Sequence, residues 1–170
     1  NWRWRGVPFY LRTGKALAEK TSEIAIQFQR PPHLMFSSSS SQDITPNVLG
    51  LYLQPHEGVH LKFEVKAPDQ GMAMRTMDME FHYETAFKDQ VLPEAYERLL
   101  EDALAGDASL FIRSDHIEAA WGIVDVLLEA WQDRELSTLH TYPAGSWGPP
   151  AAEALLSEDG RGWQHGPDGH

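Results

Sequence analysis

The hydrophobic pattern of the chain changes its period near Pro93, and this change limits the folds that the sequence can adopt. Before it, apolar and polar residues alternate through 22–29, 59–66 and 77–83, which is the pattern of half-buried β-strands. After it, apolar residues return every three or four positions, as on one side of a helix. The sequence therefore predicts an α+β fold, a largely antiparallel β-sheet with helices packed on one face and the other face available for dimerisation.

The first half of the chain is predicted to be a β-meander. The stretch 7–15 is expected to be a short strand ending in a turn at Gly14, and strands near Val48–Gln54 and Val59–Lys66 are expected to form a hairpin. The run 30–46 is rich in proline and serine and lacks periodicity, which favours an exposed loop. A second polar loop is expected near 67–76. In the run 22–29, the side chains predicted to face inward are Ile24, Ile26 and Phe28.

The second half is predicted to be helical. One helix is expected to follow Pro93 and to end at Gly106, and another to begin near Asp115 with Glu118 as its capping-box partner. A short final helix is expected over 151–158. Apolar residues at helical spacing are interpreted as core positions. They are Tyr96, Leu99, Leu100, Ala103 and Leu104 in the first helix, and Ile117, Trp121, Val124, Leu128 and Trp131 in the second.

The sequence contains His56-Glu57-Gly58-Val59-His60, the spacing with which zinc proteases hold a metal ion on a helix. Here Pro55 precedes the motif and an alternating run follows it, so the pattern indicates a hairpin turn. On a strand, residues four apart are separated by roughly 13 Å, too far for two imidazoles to share one zinc ion. We therefore expect no metal site, and a zinc hydrolase is kept only as a remote alternative.

Composition excludes several classes of protein. The 170 residues include no cysteine, which rules out disulfides, thiolate metal sites and a cysteine nucleophile and fits the cytoplasm. The net charge of −11 argues against nucleic acid and anionic membranes as partners. Since the chain begins at Asn1 without an initiator methionine, we expect it to be a piece of a longer polypeptide. We interpret 1–170 as one domain.

The basic residues are concentrated at the start of the chain. The first thirty residues carry a local charge of +4, whereas the remainder is strongly acidic. Lys15 and Lys20 flank the turn after the first predicted strand, where two ammonium groups suit a phosphate or sugar-phosphate anion. The sequence around Gly14 lacks the Walker pattern, and no dinucleotide or nucleophile-elbow motif is present. From the residues alone, an anion site and an ordinary solvated strand end both remain open.

Four stretches of this sequence resemble the C-terminal domain of the glucose-6-phosphate dehydrogenase family, in that family's order and from about Trp2 to Trp163. They are WRWRGVPFYLRTGKALAEKTSEIAIQF, LQPHEGV, EAYERLLEDALAGDASLFIRSDHIEAAW and YPAGSWGP. The resemblance implies oxidation of D-glucose 6-phosphate at C1, with hydride passing to NADP⁺ to give the 6-phosphogluconolactone, in the oxidative pentose phosphate pathway. It also implies a cytoplasmic homodimer or homotetramer.

The resemblance implies substrate-binding roles for Lys15 and Lys20, which match basic substrate contacts of the family, and for Gln54, which matches a glutamine in its hairpin turn. The coenzyme NADP is expected to bind mainly to an N-terminal Rossmann domain absent from this chain. None of the eight histidines matches the family's general base, so we expect no catalytic residue here and no turnover by this chain alone. The alternative is a noncatalytic oligomerisation module.

Some members of the family bind a second, structural NADP⁺ on this domain. Arg12 and Lys62 match two of the basic positions involved, but Thr21, Tyr52 and Trp147 stand where such members have lysine or arginine. With those charges missing, a 2′-phosphate would be poorly neutralised. We therefore expect no structural NADP⁺ site here, only weak remnants of one, and the form of the sequence around Trp147 points to a bacterial member.

Overall fold

The computed structural model describes residues 2–30, 44–68, 73–88, 95–132 and 138–164. The chain forms two compact units. The first comprises Asn1–Phe87 together with Thr141–His170, and the second comprises Lys88–His140. The first unit contains every residue to which the sequence assigns a substrate-binding role.

The first unit contains a four-stranded antiparallel sheet whose strands follow chain order. The strands are β1 (Ser22–Gln27), β2 (Val48–Gln54), β3 (Gly58–Lys66) and β4 (Met74–His82). The predicted meander, the hairpin between β2 and β3 and the α+β class are confirmed. Helices on one face of the sheet and dimerisation through the other stay predictions.

The predicted strand over 7–15 is wrong, since this stretch has no strand pairing. It is preceded by a 3₁₀ turn at Trp2–Trp4. Pro8 lacks a backbone N–H for a ladder, and the segment is held by side chains instead. The Tyr10 hydroxyl donates a hydrogen bond to Asp159, and Arg12 lies 3.7 Å from a carboxylate oxygen of Glu153.

The two faces of the sheet differ in chemistry because side chains alternate along each strand and paired residues share a face. We call one the apolar face: it carries Ile24, Ile26, Leu49, Leu51, Val59, Leu61, Phe63, Val65, Met77, Met79 and Phe81. We call the other the polar face, which carries Glu23, Tyr52, His60, Lys62, Glu64, Thr76, Asp78 and Glu80 among others.

The apolar face is incompletely covered. Four of its residues are 41 to 60% exposed to solvent: Ile24 (48%), Ile26 (41%), Met79 (60%) and Phe81 (41%). Among described residues the buried hydrophobic side chains are those of Ala67 and Leu156. The inward orientation expected for Ile24, Ile26 and Phe28 is therefore not accompanied by burial, since Phe28 is also 47% exposed. A face of this kind becomes a core only when another surface covers it.

The helices are α1 (Tyr83–Ala86), α2 (Ala95–Ala105), α3 (Ser114–Gln132) and α4 (Pro150–Ser157). Gly106 ends α2 with a φ of +72°, a left-handed conformation that glycine adopts without steric cost. The prediction for this stop is confirmed, as is the final helix. The helix predicted to begin near Asp115 begins one residue earlier, since α3 starts at Ser114 and Asp115 lies in its first turn.

The predicted core stripes of α2 and α3 are not buried. Tyr96, Leu100 and Leu104 are 77, 65 and 91% exposed, and the α3 stripe from Ile117 to Trp131 retains 38 to 65%. Helical spacing gave the correct helices, but it does not reveal which surface covers them. Among described residues, no helix is long and apolar enough to cross a membrane.

Candidate functional site

The loop that carries Lys15 is held by a second loop, 141–148, near the other end of the chain. The Tyr142 hydroxyl donates a hydrogen bond to the carbonyl oxygen of Lys15 at 2.8 Å. The backbone N–H of Gly145 donates to the carbonyl of Ala16 at 2.8 Å, and the N–H of Ala18 donates to the carbonyl of Ser146 at 3.0 Å. These three bonds fix the backbone of 15–18.

Backbone strain is present beside Lys15. Ala16 has a φ of +53°, in the left-handed region that residues with a Cβ rarely occupy. Gly14 is needed for close approach, because a Cβ at this position would lie 2.8 Å from the Tyr142 hydroxyl oxygen. Strained backbone of this kind persists only where the surroundings hold it, and it is frequent at ligand-binding loops.

The hairpin turn that carries Gln54 joins the chain directly after Lys20. The Thr21 hydroxyl donates to the carbonyl oxygen of Gln54 at 3.3 Å, and the Gln54 side-chain amide donates to the Ser22 hydroxyl at 3.2 Å. Ser22 and Gln54 are also paired between β1 and β2. The peptide bond from Gln54 to Pro55 is cis. The hydrogen bonds with Thr21 and Ser22 place Gln54 beside the segment that follows Lys20.

This arrangement presents two cations and an amide to solvent on neighbouring loops. Lys15, Lys20 and Gln54 are all exposed. An ammonium group donates up to three hydrogen bonds, and a carboxamide both donates and accepts. Such a set suits an anion that also carries hydroxyl groups, and it provides no nucleophile or general base. The site-residue assignments stay predictions.

The histidines of the His-Glu-x-x-His sequence lie in different elements. His56 is in the turn, and its Nδ1 lies 3.8 Å from Glu84 Oε2. His60 is in β3, where its Nε2 lies 2.7 Å from Asp78 Oδ1 and its Nδ1 lies 3.4 Å from the Tyr52 hydroxyl. The predicted hairpin is confirmed, and no metal-ligand group of three or more His, Cys, Asp or Glu occurs within the described part of the chain.

Arg12 occupies a cage formed near the final helix. Its guanidinium carbon lies 4.9 Å from the ring centroid of Trp147 and 4.5 Å from that of Trp163, distances typical of cation–π contacts. Burial lowers the pKa of Arg12 from its ordinary value, while the carboxylates of Glu153 and Glu23 act in the opposite direction. The side chain is 13% exposed.

The residues that match a structural nucleotide site do not fit a second NADP⁺. Two indole rings and the Glu153 carboxylate already surround the Arg12 guanidinium. Lys62 lies on the polar face of the sheet, paired with Val48 and Asp78. We therefore derive no step through a second nucleotide, and its absence stays a prediction.

Sequence reasoning missed the role of the loop 141–148. From the sequence, the stretch YPAGSWGP contributes only to the family resemblance. Its contact with the Lys15 loop joins residues 127 positions apart, and no local spacing predicts such a pair. The one signal available was a tyrosine in a glycine- and proline-rich loop, since a hydroxyl there often anchors another segment.

The chain belongs to the family described as the glucose-6-phosphate dehydrogenase C-terminal domain, whose model matches residues 1–164. It is 44% identical over 166 residues to glucose-6-phosphate 1-dehydrogenase of Mycolicibacterium smegmatis, covering 98% of this chain and 33% of that protein. Against the enzyme of the same name from Zymomonas mobilis it is 43% identical, with 96% of this chain and 34% of that protein covered. The chain thus spans about a third of the length of the curated relatives it matches.

Solved structures agree with this assignment. A structure described as glucose-6-phosphate dehydrogenase in complex with its substrate glucose-6-phosphate matches with a TM-score of 0.75 and 34% identity, over 89% of this chain and 30% of that one. The crystal structure of glucose-6-phosphate 1-dehydrogenase from Mycobacterium avium matches with a TM-score of 0.73 and 34% identity, over 97% of this chain and 33% of that one.

Proposed function

We propose that this chain is the substrate-binding and oligomerisation part of an enzyme that oxidises D-glucose 6-phosphate at C1 with NADP⁺. In this proposal the coenzyme and the general base belong to an N-terminal Rossmann domain of a longer polypeptide. Family membership over 1–164 supports the reaction class. The relative whose structure holds glucose-6-phosphate supports the substrate.

The convergence of the two loops is the observation that carries the proposal. The hydrogen bonds of Gln54 with Thr21 and Ser22 bring the hairpin turn to the segment that directly follows Lys20. Lys15 lies in the same loop, with its backbone fixed by Tyr142. In this proposal the two ammonium groups bind the phosphate, and the Gln54 amide binds a sugar hydroxyl or a phosphate oxygen.

Holding the phosphate contributes to catalysis although the phosphate does not react. Binding energy from a remote group fixes the reacting carbon relative to the hydride acceptor, and it lowers the barrier only when the position is held tightly. NADP⁺ supplies the hydride-accepting chemistry when bound. In this chain Lys15 and Lys20 bind the anion, and Gln54 orients the sugar.

A cytoplasmic homodimer or homotetramer completes the proposal. The incompletely covered apolar face of the sheet supports assembly, since side chains such as Met79 and Phe81 remain 60 and 41% exposed. The same observation favours the second candidate, a noncatalytic oligomerisation module. That candidate predicts assembly in solution and indifference to sugar phosphates.

The test is NADPH production by a chimera in which this chain follows the N-terminal two-thirds of the Mycolicibacterium smegmatis relative. We expect glucose 6-phosphate-dependent turnover by the chimera and none by the 170-residue chain alone. Lys15→Ala is expected to abolish most of this activity, whereas Lys66→Ala, an exposed lysine at the end of β3, is expected to leave it unchanged.

An equally active Lys15→Ala chimera would contradict the substrate role, and turnover by the isolated chain would contradict the division of labour between domains. If the chimera does not fold, the same substitutions at the aligned positions of the Mycolicibacterium smegmatis relative provide the test. Assembly without any response to sugar phosphate would favour the oligomerisation module.

A further inference from the structure

We propose that Tyr142 is a positioning residue for Lys15, acting through the Lys15 backbone and setting the affinity for the sugar phosphate. This inference rests on the proposed function, because it assigns to Tyr142 a role in the site where Lys15 binds phosphate. The observation behind it is the hydrogen bond from the Tyr142 hydroxyl to the Lys15 carbonyl oxygen at 2.8 Å.

A lysine side chain is long and has many rotamers, so its charge is directed only as well as its backbone is fixed. At Lys15 that backbone lies in an irregular loop with no strand or helix to hold it. The bond from Tyr142 acts on the carbonyl of Lys15 itself. The bonds between Ala16 and Gly145 and between Ala18 and Ser146 hold the next turn of the loop.

The strained residue next to Lys15 makes this support necessary. Ala16 has a φ of +53°, which an alanine in an unsupported loop would leave for a more stable conformation. A change at Ala16 would rotate the Lys15 carbonyl and redirect its side chain. The loop 141–148 prevents this change by binding the carbonyls of Lys15 and Ala16, which belong to the two peptide units that flank the Ala16 Cα.

Gly14 shows that the approach of Tyr142 is close. A Cβ built at Gly14 would lie 2.8 Å from the Tyr142 hydroxyl oxygen, shorter than real Cβ contacts. A side chain at position 14 therefore requires the Tyr142 hydroxyl to move. Gly14→Ala would displace the hydroxyl or the loop, which gives a second and independent way to break the same contact.

The loop 141–148 is itself internally braced, so it can act as a support. The Ser146 hydroxyl donates to the carbonyl of Pro143 at 2.7 Å, and the Ser146 N–H donates to the same carbonyl at 3.2 Å. Gly145 and Gly148 adopt φ values of +80° and +117°. This tight turn directly follows Tyr142 in the chain.

The experiment is a double-mutant cycle between Tyr142→Phe and Lys15→Ala in the chimera, with KM and kcat measured for glucose 6-phosphate. Tyr142→Phe removes only the hydroxyl. We expect it to raise KM about fivefold, the factor typical of one lost hydrogen bond, with a fall in kcat that is smaller than the rise in KM. In the Lys15→Ala background we expect no further rise, because the residue through which Tyr142 acts has been removed.

Tyr10→Phe is the matched control. It removes a hydroxyl that bonds Asp159 and receives a bond from Arg161, away from the carbonyl of Lys15. We expect its KM to equal that of the parent. Gly14→Ala is expected to raise KM at least as much as Tyr142→Phe, and combining the two is expected to add little because the contact that Gly14→Ala breaks is already lost.

The outcomes separate the two proposals. If Lys15→Ala raises KM while Tyr142→Phe does not, or if their effects are simply additive, the positioning role is overturned and the substrate site stands. If Lys15→Ala leaves KM unchanged, the proposed substrate role of Lys15 fails and the positioning role fails with it. A fall in kcat alone for Tyr142→Phe also overturns the inference.

Discussion

On the polar face of the sheet, side chains of neighbouring strands bond to one another. On the apolar face, side chains of the two edge strands, β1 and β4, remain about half exposed. Asp78, His60 and Tyr52 form a row across β4, β3 and β2, with separations of 2.7 and 3.4 Å. On the opposite face Met79 and Ile24 are 60 and 48% exposed. The strands are the same, so the difference lies only in which face each residue points to.

The polar face forms its side-chain bonds within this chain, whereas the apolar face needs another surface to cover it. Polar bonds are short and directional, so the polar face needs only its own strands. The candidate site lies at the end of β2, whose last residue is Gln54, two positions after Tyr52 of the polar face. The Gln54 side-chain amide donates a hydrogen bond to the Ser22 hydroxyl. Burial of the apolar face requires a second surface, which we expect from the rest of the polypeptide or from a second subunit.

The largest effect is expected on kcat/KM, from substitutions at Lys15 and Lys20 of the candidate site. Replacing Lys15 and Lys20 together by alanine is expected to lower kcat/KM for glucose 6-phosphate in the chimera by about a hundredfold or more, because two charge-assisted contacts are lost. The control replaces Lys66 and Lys88, which are also exposed, by alanine. A loss of less than tenfold, or an equal loss in the control, would refute the assignment of the two lysines.

A smaller effect is expected on the free energy of unfolding from substitutions on the apolar face, and its size is expected to differ between the isolated chain and the chimera. Met79→Ser is expected to change the free energy of unfolding of the isolated chain by less than about 1 kcal/mol, because Met79 is already exposed there. In the chimera the same change is expected to cost about 2 kcal/mol if another surface covers the face. The measurement is denaturant unfolding of both proteins.

The neighbouring residue provides the control for this comparison. Glu80 lies next to Met79 on β4 but on the polar face. Glu80→Ser is expected to have the same small effect in both proteins. Equal, small effects of Met79→Ser in the two contexts would show that the apolar face stays exposed in the chimera as well.

The row of polar side chains is expected to make a modest contribution to stability. Asp78→Ala removes the partner of His60 Nε2 and is expected to lower the free energy of unfolding of the chain by about 1 kcal/mol, the usual contribution of one hydrogen bond. Glu80→Ala is the control on the same strand and face, since its contact with His82 is 3.5 Å long. Equal effects of the two changes would contradict a specific role for the Asp78–His60 pair.

The smallest effect is expected at Glu23, on the polar face of β1. Burial raises the pKa of Glu23, and the Arg12 cation opposes this shift. Because the folded-state pKa is raised, the contribution of Glu23 to stability is full below the ordinary glutamate pKa of about 4.3 and is lost as pH rises through the folded-state value. Glu23→Gln should remove this dependence.

We therefore expect the free energy of unfolding of the parent to fall relative to that of Glu23→Gln as pH rises above about 4.3, by less than about 1 kcal/mol in total. The check is chemical denaturation at a series of pH values. Glu64→Gln, on the same face, is the control. A parent that gains stability relative to Glu23→Gln as pH rises would contradict the sign.

The hairpin was predictable from sequence because its information is local. Pro55 and Gly58 mark the turn, and the strict alternation after Val59 marks the strand. The helix stop at Gly106 was predictable for the same reason. In each case the residues that determine the structure lie within a few positions of one another.

The support of the site was not predictable, because its partners are far apart in the chain. Tyr142 and Lys15 are separated by 127 positions, and the predicted strand at 7–15 failed because side chains from the region of Asp159 bind that segment. Arg12 matched a nucleotide position of the family, yet in this fold it lies between Trp147 and Trp163. Neither periodicity nor a motif reveals pairings of this kind.

The most direct test of the central claim is calorimetric titration of the chimera with glucose 6-phosphate and with glucose, for the parent and for Lys15→Ala with Lys20→Ala. We predict that the parent binds the phosphorylated sugar at least about a hundredfold more tightly than glucose, and that the double substitution removes most of this preference. A preference that survives the loss of both lysines would show that the phosphate is held elsewhere, and it would contradict our account of this domain.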